Sequence, residues 1–286
     1  MKLGVHVPDF TFPGGAPTLG TDLAEAVKAV DEAGFEYLSV MDHFFQIPQV
    51  GPVENDMLEA YTALGFLAAH TERVKLLTLV TGVHYRQPGL LAKAITTLDV
   101  LSGGRAVLGI GAGWNEEESR GLGFPYPPTK ERFEMLEETL QYVRKMWSED
   151  DGPFESAHID AERLLNVPQP LSKPHPPIMV GGSGEKKTLR LVAKYADACN
   201  LFGSPELAHK LDVLRGHCEA EGRDYNEITK TSLAMLDPTK VDDLKVQLRQ
   251  QAELGIDAAF IMIPGGLKID VIELLGKEVI PEVAGY

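Results

Sequence analysis

The residues best suited to chemistry in this 286-residue chain begin with Asp42-His43. Histidine changes charge near neutral pH, and a neighbouring carboxylate can hold its ring ready to give or take a proton. The structural alternative is a helix-capping aspartate beside a packed histidine. His84 and His6 have similar placements in weaker surroundings. A metal site needs three or more convergent ligands, and no HxxxH or HxH cluster occurs, so no metal is expected. Gly181-Gly182-Ser183-Gly184 has a different chemistry. Glycines let backbone approach a ligand closely, and free N–H groups at a helix start attract an anion. The loop reads as a phosphate cradle with Ser183 donating its hydroxyl, or as a tight turn before a helix opening at Glu185. Of Lys186, Lys187 and Arg190, one is expected to face the ligand and the others water. Gly111-Ala112-Gly113-Trp114 joins a flexible rim to an indole that either stacks on a planar ring or packs locally. Gly82-Val83 permits unusual backbone geometry, although nothing local demands more than a turn. Glu116-Glu117-Glu118 reads as a solvated acidic first turn of a helix, with Glu117 the one candidate to point inward.

These residues fall where one architecture would gather them. Short apolar runs alternate with helix-period segments: strands at Leu3–Val7, Tyr37–Val40, Val74–Val80, Ala106–Ile110, Ile178–Val180, Ala198–Phe202, Thr229–Met235 and Ala259–Ile263. Helices are expected between them at Leu23–Ala33, Leu58–His70, Gly89–Leu101, Lys130–Trp147, Glu185–Tyr195, Pro205–Gly222 and Val241–Gly255, with Ile269–Val279 closing the chain. Between Asp150 and Pro177 six prolines interrupt the rhythm, and that stretch reads as an insertion with a short hairpin. Eight β-then-α units specify a (β/α)8 TIM barrel of one domain, 1–286, with the insertion (150–177) between the fourth and fifth units. An open doubly wound sheet is the alternative, but no GxGxxG follows the first strand. In a barrel the residues just after each strand meet at one mouth, and every candidate above lies in such a place.

Composition narrows the partners. Lys and Arg number 27 against 42 Asp and Glu, a net charge of −15, which repels nucleic acid. Cys199 and Cys218 form no CxxC pair, which fits a reducing cytoplasm. No run of 18 apolar residues and no signal-type leader occurs, so neither membrane insertion nor export is expected.

Three segments carry a family resemblance. They are the strand-end DHF at Asp42–Phe44, the stretch from Thr78 to Glu118 containing TGVHYRQPG and GIGAGWNEEE, and PPIMVGGSGEKKTLRLVAKYADACNLFG from Pro176 to Gly203. In this order they resemble the luciferase-like monooxygenase superfamily, particularly its actinobacterial branch of oxidoreductases dependent on the deazaflavin coenzyme F-420. The resemblance implies that His43 lies over the reactive edge of the deazaflavin and that Asp42 touches the ring. It also implies a non-prolyl cis peptide in a bulge at Gly82-Val83, propping the ring's back face. The phosphate loop maps to Gly181, Gly182, Ser183 and Gly184, and the fourth-strand rim to Gly111, Ala112, Gly113 and Trp114. Asn200, with Cys199, falls near the cofactor tail. Sugar-phosphate dehydrogenases of the superfamily carry a catalytic Glu directly after the fourth-strand glycines; Trp114 stands there in this chain, which puts that substrate class in doubt. The expected activity is hydride transfer between coenzyme F-420 and an unidentified small organic substrate. An FMN-dependent monooxygenase using reduced flavin and O2 is the alternative within enzymes, and a non-catalytic flavin- or deazaflavin-binding protein the alternative outside them. The family favours a homodimer.

Overall fold

A computed structural model describes residues 1–286. Eight parallel strands form a barrel: β1 (Lys2–Val7), β2 (Tyr37–Val40), β3 (Lys75–Thr78), β4 (Leu108–Gly111), β5 (Ile178–Gly181), β6 (Ala198–Phe202), β7 (Thr229–Met235) and β8 (Ala258–Met262). β3 breaks after Thr78 and resumes as Thr81–Gly82, which pairs with β4 through Thr81–Ile110 and Gly82–Gly111. β1 pairs with β2 on one side and β8 on the other, and a parallel bridge between Leu76 and Ala106 closes the ring between β3 and β4. The expected TIM barrel is therefore the architecture found.

The lower lumen is a dry plug of Tyr37, Leu77, Val107, Met179 and Phe260, each 8% exposed or less. Gly4 makes room for it: a Cβ there would stand 2.8 Å from the Tyr37 Cβ and 3.0 Å from the Phe260 ring. The strands are apolar on both faces because the lumen and the surrounding helices both bury them, which is why Val74–Val80 reads as an unbroken run. Helices α1 (Ala16–Glu32), α2 (Ala60–Ala69), α3 (Pro88–Leu101), α4 (Glu116–Gly121), α5 (Thr129–Met146), α6 (Thr188–Tyr195), α7 (Leu207–Glu221) and α8 (Val241–Glu253) follow the strands in turn. Ile269–Leu274 continues through a wide π-turn, Leu275–Val279, into Ile280–Val283. No helix is long and apolar enough to cross a membrane.

Several boundaries differ from expectation. α1 starts at Ala16, earlier than Leu23, with Pro17 in its first turn, where a missing N–H costs nothing. α6 starts at Thr188, three residues after the expected Glu185, so Glu185–Lys187 is turn rather than helix. α4 has no counterpart in the apolar periodicity because its six residues, EEESRG, are all small or polar. The insertion contains the expected short hairpin, Phe154–Glu155 against Asp160–Ala161.

Candidate functional site at the barrel mouth

All eight strands run the same way, so the turns after β2, β3, β4 and β5 open at one end. His43, the bulge after β3, the Gly111–Trp114 rim and the Gly181–Gly184 loop thereby share one mouth. β4 and β5 pair through Ile110 and Val180, which places Gly111 and Gly181 side by side at their tips.

The centre of the site is a carboxylate that the sequence placed in water. Glu118 is fully buried, whereas Glu116 and Glu117 are exposed. Asn115 caps α4 through Glu118 N–H, and this N-cap spacing turns the third helical residue inward. Four donors converge on the carboxylate: Tyr85 Oη at 2.7 Å, His43 Nδ1 at 3.1 Å, Asn115 Nδ2 at 3.2 Å and Phe45 N–H at 3.3 Å. Burial alone would push its pKa up, but the bonds from His43 and Tyr85 outweigh it and hold the carboxyl below its ordinary range. An ionised carboxylate only accepts hydrogen bonds, so His43 Nδ1 must carry a hydrogen. His43 Nε2 is left without a partner inside the chain, and the ring meets Trp114 edge-on with centroids 5.4 Å apart. The Trp114 side of the rim is open, with the residue 53% exposed.

The two other histidines at the mouth, His6 and His84, are fixed and neutral. His6 bonds Ser39 through Nδ1 at 2.9 Å, and burial followed by proximity to His43 pulls its pKa down to about 4. His84 is likewise pulled down to about 4, by burial and then by nearby Arg132. The Ser119 hydroxyl donates to Asn115 O, so it accepts from His84 Nε2–H. His84 Nδ1 is then an acceptor, and it is the sole buried side-chain N or O in the chain without a partner.

The bulge sits three residues before its expected place. The non-prolyl cis peptide joins Leu79 and Val80, not Gly82 and Val83. Val83 is 3% exposed and its N–H bonds Gly111 O, so Gly82-Val83 continues the pairing with β4 and carries no cis bond. The hydroxyls of Thr78 and Thr81 meet across the break at 2.7 Å, and Tyr61 Oη holds Thr81 at 2.6 Å. Val80 projects over the mouth's floor, where side chains on Gly111 and Gly181 would stand 2.9 and 2.7 Å from its methyls. Periodicity carries no sign of peptide geometry, which is why an apolar run hid this break.

Asp42 is committed within the chain. Both of its carboxylate oxygens bond Arg86, at 2.7 and 2.9 Å, and the residue is 3% exposed. Its carboxylate anchors Arg86, itself shared with Glu59. Asn200, 8% exposed, donates from Nδ2 to Thr231 Oγ1 inside the lumen, while its carbonyl accepts Gly182 N–H. Cys199 is fully buried, and burial pushes its thiol up to about 12, so it is chemically inert.

The glycine loop has the features of an anion receptor. Gly182 adopts φ +119°, and no acceptor in the chain bonds the N–H groups of Ser183, Gly184 or Glu185. The Ser183 hydroxyl is likewise uncommitted, and the loop is partly exposed. Neither lysine has an ion-pair partner; Lys187 lies over the Phe133 ring, while Arg190 turns away to Glu137. Ala112 O accepts from Arg132 Nε at 3.1 Å, and Gly113, at φ +73°, packs against His84 so tightly that a Cβ would stand 2.3 Å from that ring. A planar ring with an anionic tail suits this arrangement: an open indole, a non-polar bulge and bare N–H groups along one rim. Two clefts elsewhere, about 500 Å3 beside Arg249 and Tyr286 and about 820 Å3 beside Trp147 and His175, gather no comparable chemistry.

Comparison with known proteins places the chain in a family. A coenzyme F-420-dependent glucose-6-phosphate dehydrogenase of Nakamurella multipartita is 32% identical over 228 residues, 77% of this chain and 64% of that protein. An FMNH2-dependent dimethylsulfone monooxygenase of Pseudomonas putida is 29% identical over 156 residues, covering 54% of this chain and 42% of its own. The solved structure of a coenzyme F-420-dependent secondary alcohol dehydrogenase, with an F-420–acetone adduct, shares the fold with a TM-score of 0.81 at 18% identity, covering 99% of this chain and 98% of its own. The family model for luciferase-like monooxygenases matches residues 1–256. The chain belongs to the luciferase-like monooxygenase family.

Proposed function

We propose that the protein is an oxidoreductase that transfers a hydride between the deazaflavin coenzyme F-420 and a small organic substrate. The observation that carries this reading is the His43–Glu118 pair, set beside an exposed indole at the mouth that also holds the bare N–H loop. Ser183, Gly184 and Glu185 would hold the cofactor's phosphate, Trp114 and the Leu79-Val80 bulge would hold its ring, and Asn200 would lie near its tail. When bound, the deazaflavin supplies or accepts the hydride. Glu118 keeps the Nδ1 hydrogen in place, so proton exchange falls to His43 Nε2, which is a base when neutral and an acid when charged. Tyr85, Asn115 and the Phe45 N–H fix Glu118 and thereby the plane of the imidazole. The 12% exposure of the His43 side chain keeps bulk water largely away from that nitrogen.

Support for the deazaflavin comes from the Nakamurella relative; the Pseudomonas relative favours reduced FMN as the second reading. Both cofactors are tricyclic and phosphorylated, so affinity separates them. Purified protein titrated with oxidised coenzyme F-420 and with FMN is expected to bind the former more tightly, and tight FMN binding without deazaflavin binding overturns the assignment. With the cofactor bound, His43→Ala is expected to lower turnover by about 10²- to 10⁴-fold while leaving cofactor affinity nearly intact. An unchanged rate would remove His43 from the chemistry and favour a binding protein.

A further inference from the structure

We infer that the substrate of this mouth is an uncharged, largely apolar molecule and not a phosphorylated or carboxylated one. This rests on the reading above, in which the cofactor occupies the side of the mouth built by β3, β4 and β5, with its tail near Asn200 of β6. The substrate is then left the arc from β6 through β7, β8 and β1 to β2.

That arc is apolar at its tips. The strand register puts Met235 of β7 beside Met262 of β8, and Met262 beside His6 of β1. Phe202, the last residue of β6, adjoins them opposite Leu233. Phe202 and Met235 are 62% and 60% exposed, unusually open for large apolar side chains that end buried strands. The loop after β2 adds Phe44, which packs on Tyr85 and Phe124 with centroids 5.3 and 4.9 Å apart.

Charge points the same way. From Met41 to Glu59 the chain has no Lys or Arg but contains Asp42, Glu54, Asp56 and Glu59. The nearest guanidinium, Arg86, is 9% exposed and already bonded to Asp42 and Glu59. The turn after β1 brings Asp9 and no cation, and the turn after β6 brings Glu206, which pairs with Lys210 at 3.5 Å. Lys240, after β7, pairs with Asp237 at 3.6 Å, which leaves Lys268, after β8, as the one unpaired cation on the arc. The arc therefore offers an anionic substrate no free guanidinium and one unpaired lysine, whereas an apolar substrate would cover Phe202 and Met235. Of the two histidines on this arc, His6 is held neutral and adds no positive charge, and His43 faces the Glu118 carboxylate. The substrate class of the Nakamurella enzyme thus does not transfer to this chain.

The test uses a matched pair of probes, 1-naphthol and 1-naphthyl phosphate, which differ by the phosphate alone. Equilibrium dialysis is run on full-length protein carrying oxidised coenzyme F-420, and in parallel on cofactor-free protein in saturating inorganic phosphate, which fills the glycine loop. In both, naphthol is expected to bind at least about tenfold more tightly than its phosphate ester, about 1.4 kcal/mol. Met235→Glu and Phe202→Asp, each on an exposed rim position, are expected to cut naphthol affinity by about tenfold with an unchanged melting temperature. Equal or tighter binding of the ester overturns the inference, as does naphthol binding that neither substitution weakens. If the cofactor fails to bind while the naphthol preference and its loss in the variants persist in phosphate, the cofactor reading fails and the substrate class stands.

Discussion

Glu118→Gln isolates the charge at the centre of the mouth with almost no change of shape. The wild-type carboxylate takes four donors, and hydrogen bonds to a charged acceptor are worth about 1.5–3 kcal/mol each. The amide keeps one acceptor oxygen. Placed at the Oε2 position, that oxygen still serves His43, Asn115 and Phe45 N–H, and its NH2 faces the Tyr85 hydroxyl, which can rotate to accept. Placed the other way, the NH2 opposes three donors, so the first arrangement wins and the loss is mostly that of charge. The expected destabilisation is about 2–4 kcal/mol, read from urea unfolding at pH 7.5. Glu117→Gln, one residue away and exposed, should stay within about 0.5 kcal/mol of the parent. Equal effects from the two substitutions would refute the buried-carboxylate account, and with it the fixed Nδ1 hydrogen on His43. In cofactor-loaded protein, Glu118→Gln should also reduce turnover without weakening substrate binding, because it acts through His43.

Acid should weaken the fold by way of two other histidines. His6 and His84 titrate near 6.5 when unfolded but near 4 when folded, so between those values only the unfolded chain takes up the protons. Stability should be full above about pH 6.5 and fall by about 3 kcal/mol per histidine on going down to about pH 4, and His6→Gln should flatten that slope in urea melts; an unaltered slope counts against burial as its cause. Arg86→Met would leave the Asp42 carboxylate buried without a partner, costing about 3–5 kcal/mol at pH 8. Burial already raises the Asp42 pKa, so the deficit should shrink toward pH 5, where protonation relieves the charge; a deficit independent of pH would contradict this. Gly109→Ala would place a methyl 1.9 Å from the Thr78 carbonyl oxygen, a backbone atom that cannot swing aside. It should cost at least about 3 kcal/mol in thermal or urea unfolding, and a near-neutral result would show that β3 and β4 can part at that point.

What the sequence made legible follows from what periodicity measures. Strand and helix alternation depends on which faces are buried, so the eight units and the common mouth could be read directly, and with them the neighbourhood of His43, Trp114 and Ser183. Peptide geometry leaves no trace in hydropathy, and KLLTLV ran past the Leu79-Val80 break as if the strand continued. The burial of Glu118 escaped because α4 has six residues, too few for a moment to show. A signal was nonetheless present: Asn115 followed three residues later by Glu118 has the spacing of a helix cap paired with an acid that turns back toward it. Arg86 escaped for another reason. Its partners, Asp42 and Glu59, lie 44 and 27 residues away, and no local pattern anticipates a pairing that only the closed ring brings about.

The Val80 side chain and the glycines beneath it make a size-for-size exchange between three strands. Each of Gly111 and Gly181 is small because Val80 is large, and the void each leaves is the volume the valine fills. No one of these positions can grow alone, yet a smaller residue at 80 would release both glycines at once. Reshaping the floor of this barrel is therefore a matter of moving bulk between strands rather than adding it, and a library varying residues 80, 111 and 181 together would reach pockets closed to any series of single substitutions.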